Sequence, residues 1–395
     1  MPGRRGGSYT VLRRGPAAAF APLGASTLAT TAAPRPRKIL IIQTAFIGDI
    51  VFASPLVYAI KNKYDQVEVA LLVRPRGREV AECIPGVDKV ITFDKHGRQK
   101  GWKGLLSVRR AVRRENFDLL LSPHRSLRSA LLSALSGVSR RVGYRSSLGK
   151  LAYNIVIRPD DTEPCHLKQD LRLLERAGIP EAGTRLRLEP PPGQQEYVTG
   201  FLRKHGLVAA DRLVALCIGA HWASKRWPAV YFASLAGALI DRGYVPVLFG
   251  GKDEAEVAME IAQDRGEALV SCLGNRLSES AALLARCQMA VGGDSGLTHM
   301  ARALGLPTVM IFGPTDPRAH CFEESTVVLN AQVKCRPCSS HGPRRCPQKH
   351  HDCMRLVSPE DVLDALRRIS SLQTPSPLSA SPRLNSRPAM TSAGG

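Results

Sequence analysis

The chain has 395 residues, of which 44% are hydrophobic and 23% charged, and its formal net charge is +21. This length favours two domains, and no run approaches the roughly 18 apolar residues that a membrane-spanning helix needs. The excess of basic residues persists when both tails are set aside. It favours a polyanionic partner, which leaves open a nucleic acid, an anionic membrane surface or a phosphorylated substrate.

The two ends of the chain differ in composition from its middle. Residues 1–37 are rich in Ala, Gly, Pro, Ser, Thr and Arg and contain no acidic residue, which predicts a disordered basic extension. A transit peptide and a poor signal sequence are alternative interpretations of this segment. Residues 374–395 are rich in Pro and Ser and are predicted to be a disordered tail.

Between the tails, short β-branched runs alternate with helical patterns, which is typical of parallel sheets with crossover helices. The first set of predicted strands is 38–43, 67–73, 89–93, 118–121 and 141–144. The second set is 213–218, 245–249, 268–271, 289–291 and 308–312. The proline-rich stretch 190–193 separates the two sets and marks a linker. The pattern predicts an α/β protein with domains at 38–190 and 191–357 and a C-terminal helix at 358–373.

Cysteines occur in two settings. Those scattered through the chain in apolar surroundings are predicted to be buried reduced thiols: Cys83, Cys165, Cys217, Cys272 and Cys287. A second group near the C-terminus consists of Cys335, Cys338, Cys346 and Cys353. Its Cys-x2-Cys opening has the spacing of zinc ligands, but the second pair is spaced more widely than in a typical zinc knuckle. A structural metal, disulfide or redox chemistry, and plain reduced thiols all remain open for this group.

The first candidate motif follows the opening strand and contains Gly48 and Asp49. In parallel sheets, ligands bind beyond the carboxyl ends of the strands, where loops lead into helices. Gly48 permits a tight turn or a close approach, and the Asp49 carboxylate is a candidate general base for an acceptor hydroxyl. The alternative is that Asp49 only caps the following helix.

The second motif is the loop 219–228 after the first strand of the second set. Lys225 and Arg226 present two cations at a strand end, which suits a diphosphate. Two of the three tryptophans, Trp222 and Trp227, also lie in this loop. The alternative is a solvated charged loop with a tryptophan packed on the domain.

The third motif, 291–307, is a strand that runs into a glycine-rich turn and then a helix. Asp294 or Ser295 can cap that helix, and its free amides predict a phosphate-binding turn. The turn lacks the ending of the nucleoside triphosphate loop and the spacing of the dinucleotide fingerprint. A purely structural turn remains an alternative, and His299 alone fits a capping or core residue.

Two weaker candidates follow other strands of the second set. Glu254 can reach a ribose hydroxyl pair, although helix capping explains it equally well. The segment Gly313–Pro317 either borders a donor pocket or is only a turn.

Together, the segments Phe46–Asp49, Lys225–Pro228, Gly293–His299 and Phe312–Asp316 occur in the order and spacing of glycosyltransferase family 9. From about residue 37 to residue 369 the chain resembles the heptosyltransferases of that family. The cysteine-rich segment weakly favours the branch that adds the second heptose. The resemblance implies a GT-B architecture: two Rossmann-like domains face a central cleft, with the acceptor on the N-terminal half and ADP-heptose on the C-terminal half.

The resemblance also assigns roles to individual residues. Asp49 matches the catalytic aspartate, and Lys225 matches the lysine that contacts the donor phosphates. The remaining donor-binding positions implied are Arg226, Glu254, Asp294, Ser295, Gly296, Leu297 and His299. The family more often has threonine where this chain has Ser295, but either hydroxyl can donate to a phosphate. No Asp-X-Asp pair of the kind that holds a metal beside a sugar nucleotide is present, so we predict an enzyme without a cofactor or a divalent metal.

The implied partners are ADP-heptose as donor substrate and the lipopolysaccharide inner core with its lipid A as acceptor. Many basic residues of the N-terminal half suit a phosphorylated lipid and an anionic membrane surface: Lys100, Lys103, Arg109, Arg110, Arg113, Arg114, Arg125, Arg128, Arg140, Arg141, Arg145 and Lys150. Taken singly, each is explained by a solvated surface. We therefore expect a monomer at the cytoplasmic face of the membrane that does not bind nucleic acid.

Two rival functions remain at this stage. One is a basic nucleic-acid-binding protein whose cysteine tail holds a metal, although it leaves the strand-end motifs unexplained. The other is a different GT-B sugar-nucleotide enzyme, either an epimerase or a transferase with another donor.

Overall fold

The computed structural model describes residues 35–95, 97–145, 149–263 and 269–372. These residues form two parallel sheets of six strands each, with helices packed on both. The predicted α/β class with two Rossmann-like sheets is confirmed. The predicted disordered segment 374–395, and all of 1–37 except its last three residues, lie outside the described residues.

The first sheet has the spatial order β3-β2-β1-β4-β5-β6. Its strands are β1 Lys38–Ile42, β2 Glu68–Val73, β3 Lys89–Thr92, β4 Leu119–Ser122, β5 Arg140–Tyr144 and β6 Ile155–Ile157. From β1 the chain first adds strands on one side, β2 and β3, and then on the other side, β4, β5 and β6. The strand order therefore reverses between β1 and β4. In doubly wound sheets the crevice for a ligand opens at this reversal, beyond the carboxyl ends of the two strands.

The second sheet has the order β12-β11-β10-β7-β8-β9, which repeats the topology of the first. Its strands are β7 Leu213–Cys217, β8 Val245–Gly250, β9 Val270–Leu273, β10 Met289–Gly293, β11 Thr308–Ile311 and β12 Thr326–Leu329. Here the reversal lies between β7 and β10. The loop 219–228 follows one of these strands and the glycine-rich turn follows the other.

The helices connect the strands and cover the sheets. They are α1 Ile47–Val51, α2 Ser54–Lys63, α3 Arg78–Glu82, α4 Gly101–Arg114, α5 Leu127–Leu135, α6 Gly149–Ala152, α7 His166–Arg176, α8 Gln195–Lys204, α9 Ala229–Ile240, α10 Ala255–Ala262, α11 Leu277–Leu284, α12 Gly296–Ala303, α13 Asp352–Arg355 and α14 Pro359–Leu372. Helix α14 contributes Val362 and Ile369 to the core around the second sheet. Among the described residues, no helix is both long and apolar enough to cross a bilayer.

The two halves share apolar packing. One cluster of buried side chains extends from Ile50 and Leu56 of the first half to Leu283 and Met300 of the second. Residues between the two sheets reinforce this contact, because the Leu188 amide donates to the Ala303 carbonyl and the Glu189 amide donates to the Cys83 carbonyl. The halves therefore meet through a packed interface beside the cleft.

All ten predicted strands are present, and two further strands are found. The two that the sequence did not predict, β6 and β12, are edge strands of three and four residues. An edge strand has only one neighbour, so it needs neither the length nor the full burial of the central strands. Such short runs are hard to distinguish from loops by periodicity.

One cysteine prediction is wrong. Cys83, Cys217, Cys272 and Cys287 are free and buried as expected, but Cys165 is bonded to Cys321 rather than reduced. The two cysteines are 156 residues apart in sequence and belong to different halves of the molecule. Their pairing depends on how the halves pack and left no local signal in the sequence.

Candidate active site

Helix α1 of the first half packs against α12 of the second half. A Cβ atom added to Gly296 would lie 2.9 Å from Cβ of Ile47, and one added to Gly48 would lie 3.2 Å from Cδ2 of His299. A side chain at position 296 would force the helices apart, and one at position 48 would make a tight contact with the His299 ring. The ring centroids of Phe52 and His299 are 4.8 Å apart in the same contact. The motifs that follow β1 and β10 thus pack against each other where the two halves meet, as the N-terminal and C-terminal walls of the cleft.

Asp49 lies near the start of α1, as predicted, and it does contribute to the cap of that helix, whose N-cap residue is Phe46. Its Oδ2 accepts a hydrogen bond of 2.9 Å from the Phe46 amide, which precedes the first turn. Burial raises the pKa of Asp49 above its ordinary value, and the Phe46 amide and nearby His341 oppose this shift. A carboxylate with a raised pKa is a stronger base, provided that it remains ionised.

A histidine that the sequence analysis did not identify lies near both carboxylates. Burial, followed by Arg125, lowers the pKa of His166, whereas Asp49 and Asp294 raise it. His166 is the first residue of α7 and directly follows the disulfide cysteine Cys165. The charges of Asp49 and Asp294 thus both act on His166.

Asp294 is the centre of the C-terminal wall. Its Oδ2 lies 2.5 Å from Nζ of Lys225 and accepts a 3.0 Å hydrogen bond from Oγ1 of Thr315. Its Oδ1 lies 3.0 Å from Nε2 of His299 and 3.6 Å from Nε2 of His320. Burial raises the pKa of Asp294, but His320, His299 and Lys225 together hold it well below its ordinary value. Asp294 is therefore an ionised anchor for its neighbours rather than a proton acceptor.

A buried hydrogen-bond chain fixes the tautomer of His299. Nη1 of Arg302 lies 3.1 Å from Nδ1 of His299, and because a guanidinium only donates, Nδ1 must accept. The imidazole proton is then on Nε2 and is donated to Asp294. Arg302 is itself held by Glu323, with Nη2 at 2.8 Å and Nε at 3.2 Å from Oε2. Burial lowers the pKa of His299, which favours this neutral form.

The rest of the glycine-rich turn is arranged for a helix start. Ser295 precedes α12, and its Oγ lies 3.0 Å from Oγ1 of Thr298 rather than capping a backbone amide. Leu297 packs against the shared apolar cluster. The first amides of α12, beginning at Gly296, have no partner within the helix and are suited to an anionic group.

The two cations of the loop 219–228 have different partners. While Lys225 pairs with Asp294, Nη2 of Arg226 lies 2.9 Å from Oε1 of Glu254. The other oxygen of Glu254 accepts a 2.8 Å hydrogen bond from the Gly251 amide, so this residue does cap the turn before α10. Beside them is a cavity of about 320 Å³ lined by His221, Trp222, Ala223, Arg226 and Arg344.

The two tryptophans of this loop do different things. Trp227 is 2% exposed, and its Nε1 donates a 2.9 Å hydrogen bond to the Val357 carbonyl, so it is a core residue. Trp222 lines the cavity instead. Of these two tryptophans, Trp227 is thus the one packed on the domain, as the alternative interpretation of this loop predicted.

The cysteine-rich segment packs against Ser224 and Lys225 in the loop 219–228. The Oγ of Ser224 donates to the Pro343 carbonyl, and Nε2 of His351 donates a 2.7 Å hydrogen bond to the Ser224 carbonyl. A Cβ atom on Gly342, whose φ is +85°, would lie 2.9 Å from Cε of Lys225. The segment thereby confines the Lys225 side chain that contacts Asp294.

Two sets of residues have metal-binding chemistry. Sγ of Cys335 lies 4.0 Å from Nε2 of His350. Burial raises the pKa of Cys353 to about 11, and the thiols of Cys338, Cys335 and Cys346 contribute to this rise. Among the described residues, however, the group whose ligand atoms all lie within 4.8 Å of one another is Asp294, His299 and His320. The cysteine metal site stays a prediction.

The sequence analysis missed four residues of the C-terminal wall and its support: Arg302, Thr315, His320 and Glu323. Only Thr315 had a local signal, because it lies in the Gly313–Pro317 segment that was predicted to border a donor pocket. His320 and Glu323 belong to an irregular segment whose proximity to Asp294 follows only from the fold.

Comparison with known proteins agrees with this architecture. The sequence model of Glycosyltransferase family 9 (heptosyltransferase) matches residues 105–347. The lipooligosaccharide heptosyltransferase 2 of Haemophilus influenzae is 26% identical over 356 residues, covering 84% of this chain and 99% of the relative. The lipopolysaccharide heptosyltransferase 2 of Escherichia coli is 28% identical over 299 residues, covering 71% of this chain and 84% of the relative.

Solved structures share the fold. A family 9 glycosyltransferase from Veillonella parvula has a TM-score of 0.76 at 22% identity, covering 84% of this chain and 97% of its own. The Escherichia coli ADP-heptose lps heptosyltransferase II has a TM-score of 0.69 at 23% identity, covering 85% of this chain and 99% of its own. The predicted enzyme class is confirmed: the chain belongs to glycosyltransferase family 9, the heptosyltransferases.

Proposed function

We propose that this enzyme transfers heptose from ADP-heptose to a hydroxyl of the lipopolysaccharide inner core, with inversion at the anomeric carbon and with Asp49 as general base. The names of the relatives support the donor and the acceptor. The observation that supports the mechanism is the packing of α1 against α12, which brings the motif with Asp49 in one half next to the motif with the Asp294–Lys225 pair in the other.

The reaction needs one proton transfer and one leaving group. The acceptor hydroxyl attacks the anomeric carbon and gives its proton to Asp49, while the bond from that carbon to the β-phosphate oxygen breaks and its electron pair leaves with ADP. Oδ2 of Asp49 is engaged by the Phe46 amide, so Oδ1 is the oxygen offered to the hydroxyl. General-base action of this kind contributes about 10² to 10⁴ in rate, or roughly 3 to 5.5 kcal/mol.

The departing diphosphate needs more than a helix terminus. The N-terminus of a helix contributes only about 0.3 to 2 kcal/mol per charge. The Lys225 ammonium supplies the cation, and its 2.5 Å contact with Asp294 holds it in place before the donor arrives. Arg226 lines the adjacent cavity and is paired with Glu254. We assign Arg226 to the diphosphate and Glu254 to the ribose.

The decisive test is a transfer assay with a panel of nucleotide sugars and defined lipid A core acceptors, with the product weighed by mass spectrometry. We expect a mass increase of one heptose with ADP-heptose and none with the other donors. Release of a free altered sugar would instead indicate an epimerase, and a product from a different donor would indicate another GT-B transferase.

The surroundings of the acceptor suggest where the enzyme works. We assign it to the cytoplasmic face of the membrane as a peripheral monomer, because α4 ends in exposed arginines that suit an anionic lipid surface. Co-sedimentation with vesicles should therefore rise with the fraction of anionic lipid and fall with salt. Equal binding to neutral vesicles would contradict the assignment.

A further inference from the structure

The cysteine-rich segment presents one loop, residues 339–344, to the C-terminal wall of the cleft. Oγ of Ser339 accepts a 2.7 Å hydrogen bond from the Gly342 amide, which closes the loop on itself. Directly before the loop, the Cys338 amide donates a 2.8 Å hydrogen bond to the Pro314 carbonyl in the turn after β11. These contacts fix the start of the loop at the strand ends of the second sheet.

The end of the 339–344 loop is fixed beside the proposed phosphate-binding lysine. The Pro343 carbonyl accepts a hydrogen bond from Oγ of Ser224, the residue before Lys225. Gly342 packs so closely on Lys225 that an added Cβ atom would lie 2.9 Å from Cε of that side chain. The loop is therefore a packed part of the C-terminal wall, although it belongs to a segment that follows the last strand of the sheet.

Arg344 ends this loop and lines the cavity next to Lys225. The volume of the cavity, about 320 Å³, falls within the range of roughly 300–1,000 Å³ that is usual for small-molecule sites. Arg226 of the loop 219–228 lines the same cavity. Two guanidinium groups from distant parts of the sequence thus border one space.

The two arginines of the cavity differ in their partners. Nη2 of Arg226 lies 2.9 Å from Oε1 of Glu254. Arg344 is exposed, and no carboxylate in the described part of the chain forms an ion pair with it. The charge of Arg344 is therefore available to a ligand, whereas that of Arg226 is shared with Glu254.

The field of these arginines is felt at His221, which also lines the cavity. Burial lowers the pKa of His221, and the charges of Arg74, Arg76, Arg344 and Arg226 lower it further. All four of these charges are positive. Like charges gathered at the mouth of a cavity create a positive potential that attracts an anion.

The donor of the proposed reaction supplies such an anion. The diphosphate of a sugar nucleotide is a dianion, and it gains further negative charge as the sugar leaves. Lys225 and Arg226 already share their charges with Asp294 and Glu254. A cation without a carboxylate partner can balance the charge that these two pairs leave uncompensated.

We propose that Arg344 binds the diphosphate of the donor, so that the 339–344 loop of the cysteine-rich segment is part of the donor site. This inference rests on the proposed function, because it concerns the donor of that reaction. A planar guanidinium can donate two parallel hydrogen bonds to phosphate oxygens. Arg344 would thereby hold the leaving group from the side opposite its own backbone attachment to the sheet.

The test measures nucleotide binding to the full-length protein without an acceptor. ADP and adenosine are titrated separately into the wild type, Arg344→Met and Arg344→Lys and followed by ligand-observed NMR. Arg344→Met should weaken ADP binding about tenfold or more, since a hydrogen bond to a charged group is lost. It should leave adenosine binding within twofold, because adenosine has no phosphate. Arg344→Lys keeps the charge without the planar fork and should give an intermediate ADP affinity.

Two results would overturn the proposal. One is unaltered ADP binding in Arg344→Met, and the other is equal weakening of ADP and adenosine, which would mean that Arg344 shapes the cavity without contacting phosphate. All variants should keep the melting temperature of the wild type, which shows that they are folded.

Arg345→Met is the matched control, because Arg345 is the next residue, is exposed and is not part of the cavity lining. Its ADP affinity should stay within twofold of the wild type. A loss equal to that of Arg344→Met would reduce the effect to general surface charge and refute the contact.

Titrations of UDP and GDP separate this proposal from the proposed function. If one of them binds more tightly than ADP and its binding still depends on Arg344, ADP-heptose is refuted as the donor while the role of Arg344 stands. If ADP binds most tightly but independently of Arg344, the proposed donor stands and the role of Arg344 is refuted.

Discussion

Cationic side chains have different partners on the two walls of the cleft. On the C-terminal wall three cations are paired with carboxylates: Lys225 with Asp294, Arg226 with Glu254 and Arg302 with Glu323. On the N-terminal wall Lys95 and Arg74 are held by carbonyl oxygens instead. A cation paired with a carboxylate is held in position and partly neutralised before any substrate binds, whereas a carbonyl oxygen positions a cation without cancelling its charge.

The largest expected effect lies at the junction of the two walls. Asp49→Asn should lower kcat by about 10² to 10⁴, because the amide cannot accept the proton of the attacking hydroxyl. ADP affinity should change little, since Asp49 lies opposite the donor wall. Steady-state kinetics and an ADP titration measure both quantities. Near-full activity of the variant would remove Asp49 as the base.

The same residue sets the acid limb of the pH profile. A general base works only when it is deprotonated, so kcat should fall as pH drops through the pKa of Asp49. Because burial raises that pKa, the fall should begin at a higher pH than for an ordinary aspartate. Asp49→Glu is the matched variant, and its residual activity should also be lost toward acid.

Removing a paired cation should destabilise the protein. Arg302→Met leaves Glu323 and the Nδ1 atom of His299 without their donor in a buried setting, which should lower the free energy of unfolding by about 3 to 5 kcal/mol. Lys95→Met removes only repulsion and a carbonyl contact, so its stability should be unchanged or slightly higher. Urea denaturation of both variants tests the contrast. Equal losses of unfolding free energy in the two variants would mean that pairing with a carboxylate does not distinguish the C-terminal wall from the N-terminal wall.

The covalent link between the walls is the next test. Replacing Cys321 with alanine removes the bond to Cys165 and should lower the free energy of unfolding by about 2 to 5 kcal/mol. Thiol titration of the denatured, unreduced protein should find the eight free cysteines, and all ten after reduction. A count of ten before reduction would show that the bond is absent.

Loss of the donor cation should have a smaller effect. Lys225→Ala should weaken ADP binding and lower kcat together, by about 10- to 150-fold, as expected for one hydrogen bond to a charged group. Arg242→Ala, at an exposed position in the turn after α9, is the control and should behave like the wild type. Unaltered kinetics of Lys225→Ala would refute its phosphate role.

The smallest effect is expected from metal removal. We expect EDTA to leave the transfer rate within twofold, because Lys225 and α12 supply the positive charge that a metal would otherwise provide. A loss of more than tenfold that magnesium restores would contradict this and would implicate Asp294, His299 and His320. Zinc analysis of the same preparation tests the four C-terminal cysteines, and a ratio near zero would indicate plain thiols.

Much of the fold was predictable because it depends on local patterns. Central parallel strands are buried on both faces, so they appear in the sequence as apolar β-branched runs, and all ten predicted strands exist. The motifs with Asp49, Lys225 and Asp294 were found because each follows one of those strands, where the chain turns toward the crevice. The assigned roles of these residues remain predictions.

The sequence by itself determined two α/β halves and the loops that line their cleft, since strand periodicity and glycine-rich turns are properties of short segments. Only the tertiary structure decided which side chains meet: Arg302 behind His299, Cys165 bonded to Cys321, and Lys95 beside Arg74. These contacts join residues from separate loops and helices. Their proximity is set by how strands order in a sheet and how the two halves pack, and no local pattern encodes it.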